Sequence, residues 1–296
     1  MSIMYKSGIL VPNTLHMKKD NRKGALDMEI KQFGPSKILQ NFVDYIWVAE
    51  SDLLKDKERE DIIMPLGHIN LIFNYGSNYK LIEQEREISI PDIAMIGQIK
   101  SAKHVRYGSK LDQIGISLKP AGLISFFRIP GASIVEKVID ANEVDVTFLD
   151  LYHQIQELNG IEEKIDKVYE YLNHKMSIDR SSQRISVMTD YVESNYEELN
   201  IGEMAEFFRL SISALERFFK KSVGLTPKAY GNIIKFRKNI ENEDRRKNLQ
   251  NYYYDQSYLI KNTKKFSGKT ANELEHVNRE LTLQHILNSS GVNDCS

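Results

Sequence analysis

The sequence predicts an α+β protein with an all-β N-terminal region, a helical middle segment and an all-α C-terminal region. Short runs of β-branched and aromatic residues alternate with turn residues between about residues 28 and 118. Apolar residues follow a helical spacing from Leu149 onward, and a block of twenty residues recurs forty-four positions further along the chain. The first pattern is typical of a sheet, and the other two are typical of packed helices.

The composition limits the classes of protein to which the chain can belong. The chain has 296 residues, enough for two domains with separate cores, and its 41% hydrophobic and 27% charged residues are usual for globular proteins. No apolar run approaches the roughly 18 residues of a membrane span. The first residues lack the apolar core and cleavage site of a secretory signal. The lone cysteine, Cys295, cannot form an internal disulfide, so we expect a cytoplasmic protein.

Four segments of the N-terminal region predict strands, at residues 43–50, 69–74, 93–97 and 113–118. Turn residues separate them at a spacing typical of a small barrel or sandwich. Tyr45 and Trp47 lie in the first of these strands. They are interpreted either as core residues or as part of a ligand site.

The middle of the chain predicts helices, because its apolar residues recur every three or four positions. These residues are Leu149, Tyr152, Ile155, Leu158, Ile161, Ile165, Val168, Tyr169 and Leu172. They either pack within one chain or form a self-association surface, which makes a homodimer through residues 149–172 a candidate. A polar stretch at 176–184 follows. We therefore predict domains at 1–125, 126–180 and 181–285, with a tail at 286–296.

The repeated block indicates a duplicated supersecondary unit. One copy runs from Ser211 to Tyr230 and the other from Asp255 to Leu274, with no gap between them in alignment. The matched pairs are Ser211/Asp255, Ser213/Ser257, Leu215/Leu259, Arg217/Lys261, Lys220/Lys264, Lys221/Lys265, Gly224/Gly268 and Thr226/Thr270.

The net charge of −1 conceals two segments of opposite sign. Residues 142–208 contain 5 Lys or Arg against 15 Asp or Glu, whereas residues 209–269 contain 15 against 5. A basic block is often only a solvated face. Here it coincides with the duplicated unit, which favours a polyanionic partner.

The first copy predicts a helix-turn-helix, whose second helix lies in the DNA major groove. A short helix begins after Asn200, residues 209–211 form a turn, and Ser211 caps the next helix. Thr226 and Pro227 begin another helix. With Leu215, Phe218 and Phe219 in the core, the opposite face carries Ser213, Ala214, Glu216, Arg217 and Lys220. Arginine, glutamate and serine can form hydrogen bonds with the edges of bases. Lys220, Lys221 and the backbone amides at the Ser211 end of the helix can contact phosphates.

Residues 185–281 resemble the DNA-binding domain of AraC/XylS-type transcription regulators. The resemblance rests on Ala205, Leu210, Ser211, Leu215, Phe219, Lys220, Gly224, Leu225, Thr226, Pro227 and Tyr230, and then on Asp255, Gln256, Ser257, Tyr258, Lys264, Lys265 and Gly268. It implies two helix-turn-helix units on double-stranded DNA, with RNA polymerase as a further candidate partner. It implies base reading by Ser213, Glu216 and Arg217 in the first unit and by Gln256, Ser257, Ile260 and Lys261 in the second. Phosphate contacts would come from Ser211, Lys220, Lys221, Lys264 and Lys265.

The N-terminal part resembles the sensor region of one branch of that family. The similar stretches are MPLGHINLIFNYG at 64–76 and GISLKPAGLISFF at 115–127. This implies a cupin-like β-barrel at 1–125, a helical connector at 126–180 and an unidentified small-molecule or protein effector, with no effector-binding residues assigned.

Both units depart from the family pattern, the second more than the first. Arg209 and Tyr252 occupy the two turn positions where the family has glycine. Residues 239–254 are short and polar for a supporting helix, and Thr263 replaces a core phenylalanine. We therefore expect a degenerate second unit that adds mainly phosphate contacts through Lys261, Lys264 and Lys265.

Two other classes of function stay open. One is a ligand- or protein-binding module with a decayed DNA-binding domain. The other is a cupin-type metal enzyme, which needs a His-x-His pair that none of the seven histidines forms; only His68 and His104 lie in the predicted sheet. No phosphate-binding loop, nucleophile elbow or dinucleotide motif occurs. We expect no catalytic residues, no metal and no cofactor.

Overall fold

A computed structural model describes residues 13–16, 29–51, 59–83, 86–242, 256–270 and 273. The first half of this part of the chain is rich in sheet and the second half is helical, which confirms the α+β class. The strands are β1 Asn13–His16, β2 Glu29–Phe33, β3 Val43–Ser51, β4 Arg59–Ile63, β5 Ile69–Asn74, β6 Lys80–Glu83, β7 Arg86–Ser89, β8 Ile93–Ile96, β9 Lys103–Tyr107, β10 Leu111–Leu118 and β11 Val138–Asp140.

The strands form two antiparallel sheets. The larger has the order β1-β2-β3-β10-β5-β8-β11, and the smaller has the order β4-β9-β6-β7. Side chains of both sheets share one apolar cluster, so the sheets pack against each other. The prediction of strands at 43–50, 69–74, 93–97 and 113–118 is confirmed by β3, β5, β8 and β10.

The larger sheet is buried on both faces. Along β3, Tyr45, Trp47 and Ala49 face the smaller sheet, whereas Ile46 and Val48 join the cluster shared with the helices. Strand residues alternate between faces, so burial of both faces produces the nearly continuous apolar run of this strand. Tyr45 and Trp47 are buried, as a core position requires.

The helices are α1 Pro120–Phe127, α2 Thr147–Gln156, α3 Ile161–Lys175, α4 Arg180–Ser194, α5 Ile201–Phe207, α6 Ile212–Val223, α7 Pro227–Glu241 and α8 Gln256–Ser267. Two short 3₁₀ helices, at Gly131–Ser133 and Ala141–Glu143, lie between α1 and α2. Of the helices in the described ranges, none combines the length and the apolarity that a bilayer span requires.

The sheet region continues beyond residue 125. Strand β11 pairs with β8, with Val138 opposite Ile96, although it follows α1 in the chain. The predicted boundary at 125 therefore falls inside α1, between the main body of the sheet and its last strand. The predicted tail at 286–296 lies outside the described residues.

The middle helices pack chiefly within the chain. Ile155, Ile165, Val168 and Leu172 are buried in the cluster shared with the sheet, while Leu149 is exposed. The ring of Tyr152 stacks on that of Tyr75 at 4.5 Å. Packing within one chain therefore accounts for most of this apolar stripe.

Helix α4 begins at Arg180, within the polar stretch at 176–184. The side chain of Asp179 accepts a hydrogen bond from the Ser182 amide at 2.8 Å, and the Asp179 amide donates to the Ser182 hydroxyl at 3.1 Å. This reciprocal capping box starts the helix at Arg180, inside the polar stretch that was predicted to be a boundary.

Candidate nucleic-acid interface

Helices α5 and α6 are joined by a tight turn at residues 208–211. The amide of Arg209 donates to the carbonyl of Glu206 and the amide of Leu210 donates to the carbonyl of Ala205, both at 2.9 Å. These two bonds form a Schellman motif, which needs a left-handed residue after the helix. Arg209 takes that conformation with φ of 52°, at the position where the family that the sequence resembles has glycine.

Helix α6 begins at the predicted cap. The hydroxyl of Ser211 accepts a hydrogen bond from the Ala214 amide at 3.2 Å, as expected for an N-cap residue. The twelve residues from Ile212 to Val223 form about three turns, roughly 18 Å of helix. That length is suitable for a helix lying in the DNA major groove.

One face of α6 is buried and the opposite face is open to solvent. Leu215, Phe219 and Val223 are buried. The residues predicted to contact DNA from this helix are all exposed, namely Ser211, Ser213, Glu216, Arg217, Lys220 and Lys221. The structure therefore brings the first set of predicted residues onto one accessible helix, with polar and charged groups along its free side.

Phe218 differs from its predicted place in the core. It is only half-buried, and the guanidinium carbon of Arg184, on α4, lies 4.8 Å from the centre of its ring. A cation over an aromatic face is an attractive contact, so Arg184 covers the side of the ring that the core leaves open. Ala214, which was predicted to lie on the open face, is also half-buried.

The C-terminal end of α6 contacts the segment between α1 and β11. Gly224 ends the helix with φ of 93°, and a Cβ added to Gly131 would lie 2.4 Å from the carbonyl of Val223. Only glycine at 131 permits this approach of two backbones. Thr226 then caps α7 by accepting the Ala229 amide at 3.2 Å, with Pro227 as the first helical residue, as predicted.

Helix α7 follows α6 in the chain, and it contacts the sheet through a buried arginine. Arg237 is a charged residue but is only 5% exposed, because its position continues a stripe of buried residues along α7. The other members of this stripe are Tyr230, Ile233, Ile234 and Ile240. Its guanidinium donates to the carbonyl of Leu66 at 3.2 Å and to Glu193 Oε2, on α4, at 3.0 Å. It therefore connects the sheet, α4 and α7 at one point.

Further ionisable groups complete this contact, which we call the Arg237 cluster: Asp44, His68, Glu193, Arg237 and Glu241. The Nε2 atom of His68 lies 2.7 Å from Asp44 Oδ2 and also contacts Arg237 Nη1. Arg237 lies 3.7 Å from both Asp44 Oδ2 and Glu241 Oε1. Buried charges are tolerated when oppositely charged partners surround them, as they do here.

The pKa values in the Arg237 cluster reflect the balance between burial and charge. Burial opposes the ionisation of Asp44, but His68 and Arg237 outweigh it and hold the pKa of Asp44 well below its ordinary value. Burial also disfavours charged Arg237, yet Glu193, Asp44 and Glu241 raise its pKa further above the ordinary value. Burial raises the pKa of Glu241. Asp44 and Arg237 are thus held as an ion pair.

Sequence reasoning missed the Arg237 cluster. Its members lie far apart in the chain, so no local spacing connects them. One signal for it was present in the sequence: Arg237 stands at the helical spacing of the apolar residues of α7, where an apolar side chain would be expected. His68, considered as a metal ligand, instead contacts Asp44 and Arg237, and His104 is exposed on β9. Within the described residues, no group of three or more His, Cys, Asp or Glu side chains is placed to hold a metal ion.

The second copy of the repeat supplies α8. Lys261, Lys264 and Lys265 are exposed, whereas Thr263 is 2% exposed and buried. Thr263 therefore occupies a core position, as its alignment with Phe219 predicted. The backbone of Gln256, Ser257 and Ile260 is helical, but their side chains lie outside what the structure describes. The predicted turn at Tyr252 and the short supporting segment from 243 onward also lie outside the described residues.

Helix α8 contacts both α7 and the sheet region. The ring of Phe266 lies 5.3 Å from that of Phe236, on α7. The carbonyl of Lys265 accepts a hydrogen bond from the Ala102 amide at 2.9 Å, and Ile62 lies near Gly268. The second copy is therefore packed at its C-terminal end, with its lysines left in solvent.

Comparison with known proteins gives one family match and several similar structures. A family model described as a domain of unknown function (DUF6597) matches residues 31–140, which end with β11. No curated protein matches the sequence.

The similar solved structures include two of ToxT from Vibrio cholerae. The apo form from strain SCE256, a lysine-to-alanine variant, is 12% identical and has a TM-score of 0.44, covering 80% of this chain and 98% of that chain. ToxT from strain O395 is 14% identical with a TM-score of 0.41, covering 88% and 100%. The AraC-like transcriptional activator CuxR is 11% identical with a TM-score of 0.35, covering 94% and 91%.

Proposed function

We propose that this protein is a sequence-specific, double-stranded DNA-binding transcription regulator of the AraC/XylS type, with an N-terminal sheet domain that responds to an effector. The observation that carries the proposal is the exposed face of α6. Ser213, Glu216 and Arg217 lie on a capped helix that follows a four-residue turn, and Leu215 and Phe219 hold its other face in the core.

The chemistry of this face suits base edges in the major groove. Arginine can donate two parallel hydrogen bonds to guanine O6 and N7, glutamate can accept from cytosine N4, and serine can do either. Arg217 and Glu216 are therefore the principal candidates for sequence reading, with Ser213 beside them. Ser211 and the free amides of the first turn favour a phosphate oxygen.

The lysines extend this interface along the DNA backbone. Lys220 and Lys221 are exposed in the last turn of α6, and Lys261, Lys264 and Lys265 are exposed on α8. Lysine contacts to phosphate release counterions and contribute affinity without sequence preference. We propose that α6 reads sequence and that α8 contributes chiefly phosphate contacts, with Gln256, Ser257 and Ile260 as its candidate base contacts.

The Arg237 cluster offers a physical connection between the sheet domain and the reading helices. Arg237 contacts Leu66 and Asp44 in the sheet region and lies on α7, which follows α6 in the chain. A change in the sheet domain that alters this contact would alter the placement of α6 and α8. Such coupling is commonly worth about 1–3 kcal/mol.

Dimerisation through α2 and α3 is a further proposal. Val146 and Leu149 are large, apolar and exposed at the start of α2. A second copy that covered them would place two DNA-binding regions on one site. Ultracentrifugation of wild type against a Val146→Asp, Leu149→Asp variant tests this proposal, and an unchanged monomer mass in both would contradict it.

The function is tested by mapping DNA sites genome-wide and then titrating the purified protein against the recovered sequence and against random DNA across a salt series. We expect tighter binding to the recovered sequence at every salt concentration and a log affinity that falls linearly with log salt. Equal affinity for both DNAs, or no binding, would contradict the proposal. The second result would favour the module with a decayed DNA-binding domain.

A further inference from the structure

An arginine of α4 lies against α6. The guanidinium carbon of Arg184 is 4.8 Å from the centre of the Phe218 ring, and Arg184 is exposed. Phe218 is half-buried and follows the exposed Arg217 directly in α6. Successive residues of a helix are about 100° apart, so Phe218 stands at the border between the exposed face of α6 and its buried face. Arg184 is therefore placed at the flank of the face that carries Arg217.

The charge of Arg184 is not neutralised within the described part of the chain. No carboxylate there forms an ion pair with it, and none of the residues three or four positions away on α4 is acidic. Residues 142–208 contain 15 Asp or Glu against 5 Lys or Arg. Arg184 thus keeps a free positive charge in a segment that is otherwise rich in carboxylates.

The contact with Phe218 occupies one part of a guanidinium and leaves another part free. An arginine over an aromatic ring is attracted through its flat face. Its N–H donors lie at the edge of the plane, where two of them can bind the oxygens of one phosphate in parallel. Among the described residues, Arg184 has no hydrogen-bond partner that would use these donors. The side chain is therefore oriented by the ring and still able to bind an anion.

We propose that Arg184 binds a phosphate of the DNA backbone beside the groove that receives α6, and that Phe218 positions it. This inference rests on the proposed function, because it requires α6 to lie in the major groove. A helix in that groove has a phosphate backbone on each side, and side chains at its flanks contact those phosphates. Arg184 extends the DNA interface from α6 to α4.

A structural role of Arg184 is the alternative, in which it covers the open side of the Phe218 ring. Covering the ring depends on the packing of the side chain, whereas binding a phosphate depends on its charge. Arg184→Met separates the two roles. Methionine keeps an unbranched side chain that can contact the ring, but it carries no charge.

The test titrates the full chain with random DNA and with the specific site across a salt series. We expect Arg184→Met to weaken binding to both DNAs by the same factor, about three- to tenfold at about 0.1 M salt. It should reduce the slope of log affinity against log salt by about 0.9, because one phosphate contact is lost. Arg184→Lys keeps the charge and should keep the slope. Lys37→Met, which removes an exposed charge from the sheet region, is the matched control and should change neither quantity.

The positioning role of Phe218 is tested with Phe218→Leu. Leucine fills the half-buried position without a ring, so Arg184 keeps its charge and loses the surface that orients it. We expect the loss caused by Arg184→Met to be at least about twofold smaller in the Phe218→Leu protein than in the wild type. Equal losses in the two proteins would show that Phe218 does not position Arg184.

Two results for Arg184→Met would overturn the phosphate contact. One is an unchanged salt slope, and a lower melting temperature of the same variant would then assign Arg184 to covering Phe218. The other is a loss confined to the specific site, which would assign Arg184 to base reading. Circular dichroism shows whether each variant folds. Arg184→Gln, which is also uncharged, provides the same measurement if the methionine variant does not fold.

The phosphate contact and the proposed regulator can fail separately. Equal affinity for random and recovered DNA would overturn the sequence-specific regulator, while a reduced slope for Arg184→Met on that DNA would still support the phosphate contact. Specific binding with an unchanged slope would overturn the phosphate contact alone. No binding of the wild type to either DNA would overturn both.

Discussion

The guanidinium of Arg237 donates a hydrogen bond to the carbonyl of Leu66 at 3.2 Å, across 171 positions of sequence. The same group lies 3.0 Å from Glu193 on α4. One side chain therefore joins the sheet region to two of the helices around the candidate DNA interface. Removing it would take away a counter-charge that Glu193, Asp44 and Glu241 share.

We expect Arg237→Met to lower the free energy of unfolding by about 3–5 kcal/mol, because it breaks a buried ion pair by removing one partner. Urea denaturation measures this change. Lys228→Met, on the exposed side of the same helix, is the control and should alter stability by less than about 0.5 kcal/mol. Equal midpoints for the two variants would show that the Arg237 cluster adds nothing to stability.

The stability of the protein should depend on pH through Asp44. Its pKa is held below the ordinary value of 3.8 by His68 and Arg237, which outweigh burial, with a smaller contribution from Lys119. Ionised Asp44 therefore stabilises the folded state above about pH 4, and this contribution is lost as the pH falls through the folded-state pKa. We expect the unfolding free energy of the wild type to fall more steeply below pH 4 than that of Asp44→Asn.

Glu241 has the opposite effect on the pH dependence of stability, because burial raises its pKa above 4.5. Its contribution is fully present below that value and is lost as the pH rises through the raised pKa. Both proteins in the comparison retain Glu241 and its burial, and Asp44 makes only a minor contribution to its raised pKa, so most of its effect cancels in the difference. Parallel stability curves for wild type and Asp44→Asn between pH 2 and pH 5 would contradict the assignment to Asp44.

The turn before α6 should tolerate glycine better than arginine. Arg209 has φ of 52°, a conformation that is strained for a residue with a side chain. We expect Arg209→Gly to raise the free energy of unfolding by about 0.5–1 kcal/mol, the strain relieved being offset in part by the flexibility of glycine when unfolded. Arg209→Ala keeps the strain and is the control. A glycine variant less stable than the alanine variant would be inconsistent with this account.

Arg217 should determine sequence preference at one base pair. We expect Arg217→Ala to weaken binding to the specific site by about 1–3 kcal/mol and to relax the preference at one position, because a bidentate contact to guanine is lost. Competition titrations with single-base variants of the site measure both effects. Unchanged affinity and unchanged preference would mean that α6 is not the reading helix.

Lys220 should contribute affinity without sequence preference. We expect Lys220→Ala to weaken binding to specific and random DNA alike and to reduce the slope of log affinity against log salt by about one. Lys37→Ala, an exposed lysine of the sheet region, is the control and should leave the slope unchanged. A loss confined to the specific site would instead assign Lys220 to base reading.

Local signals were sufficient for much of the fold. The strands β3, β5, β8 and β10 follow from runs of β-branched and aromatic residues, and Asn200, Ser211 and Thr226 each cap a helix as expected. Caps depend on a few neighbouring residues, so a single sequence reveals them. The exposed side of α6 follows for the same reason from its helical period.

The smaller sheet and the Arg237 cluster depend on distant residues. Strands β4, β6, β7 and β9 are short and carry many charged side chains, which pair with one another across the sheet, as Lys103 does with Glu83 at 2.6 Å. Their sequences therefore lack the apolar run that identified β3. Asp44, His68 and Arg237 come together only because α7 packs on the sheet, and no local pattern records that contact.

The close approach of Gly131 to Val223 and the hydrogen bond from Ala102 to Lys265 are two separate supports for the repeated unit. One supports the end of α6 and the other the end of α8, and both belong to segments that follow strands of the larger sheet. In the proposed regulator, the sensor domain and α7 therefore together set the distance between the two half-sites on DNA. A change in the length of either loop would therefore alter how the two copies of the repeat are placed relative to each other.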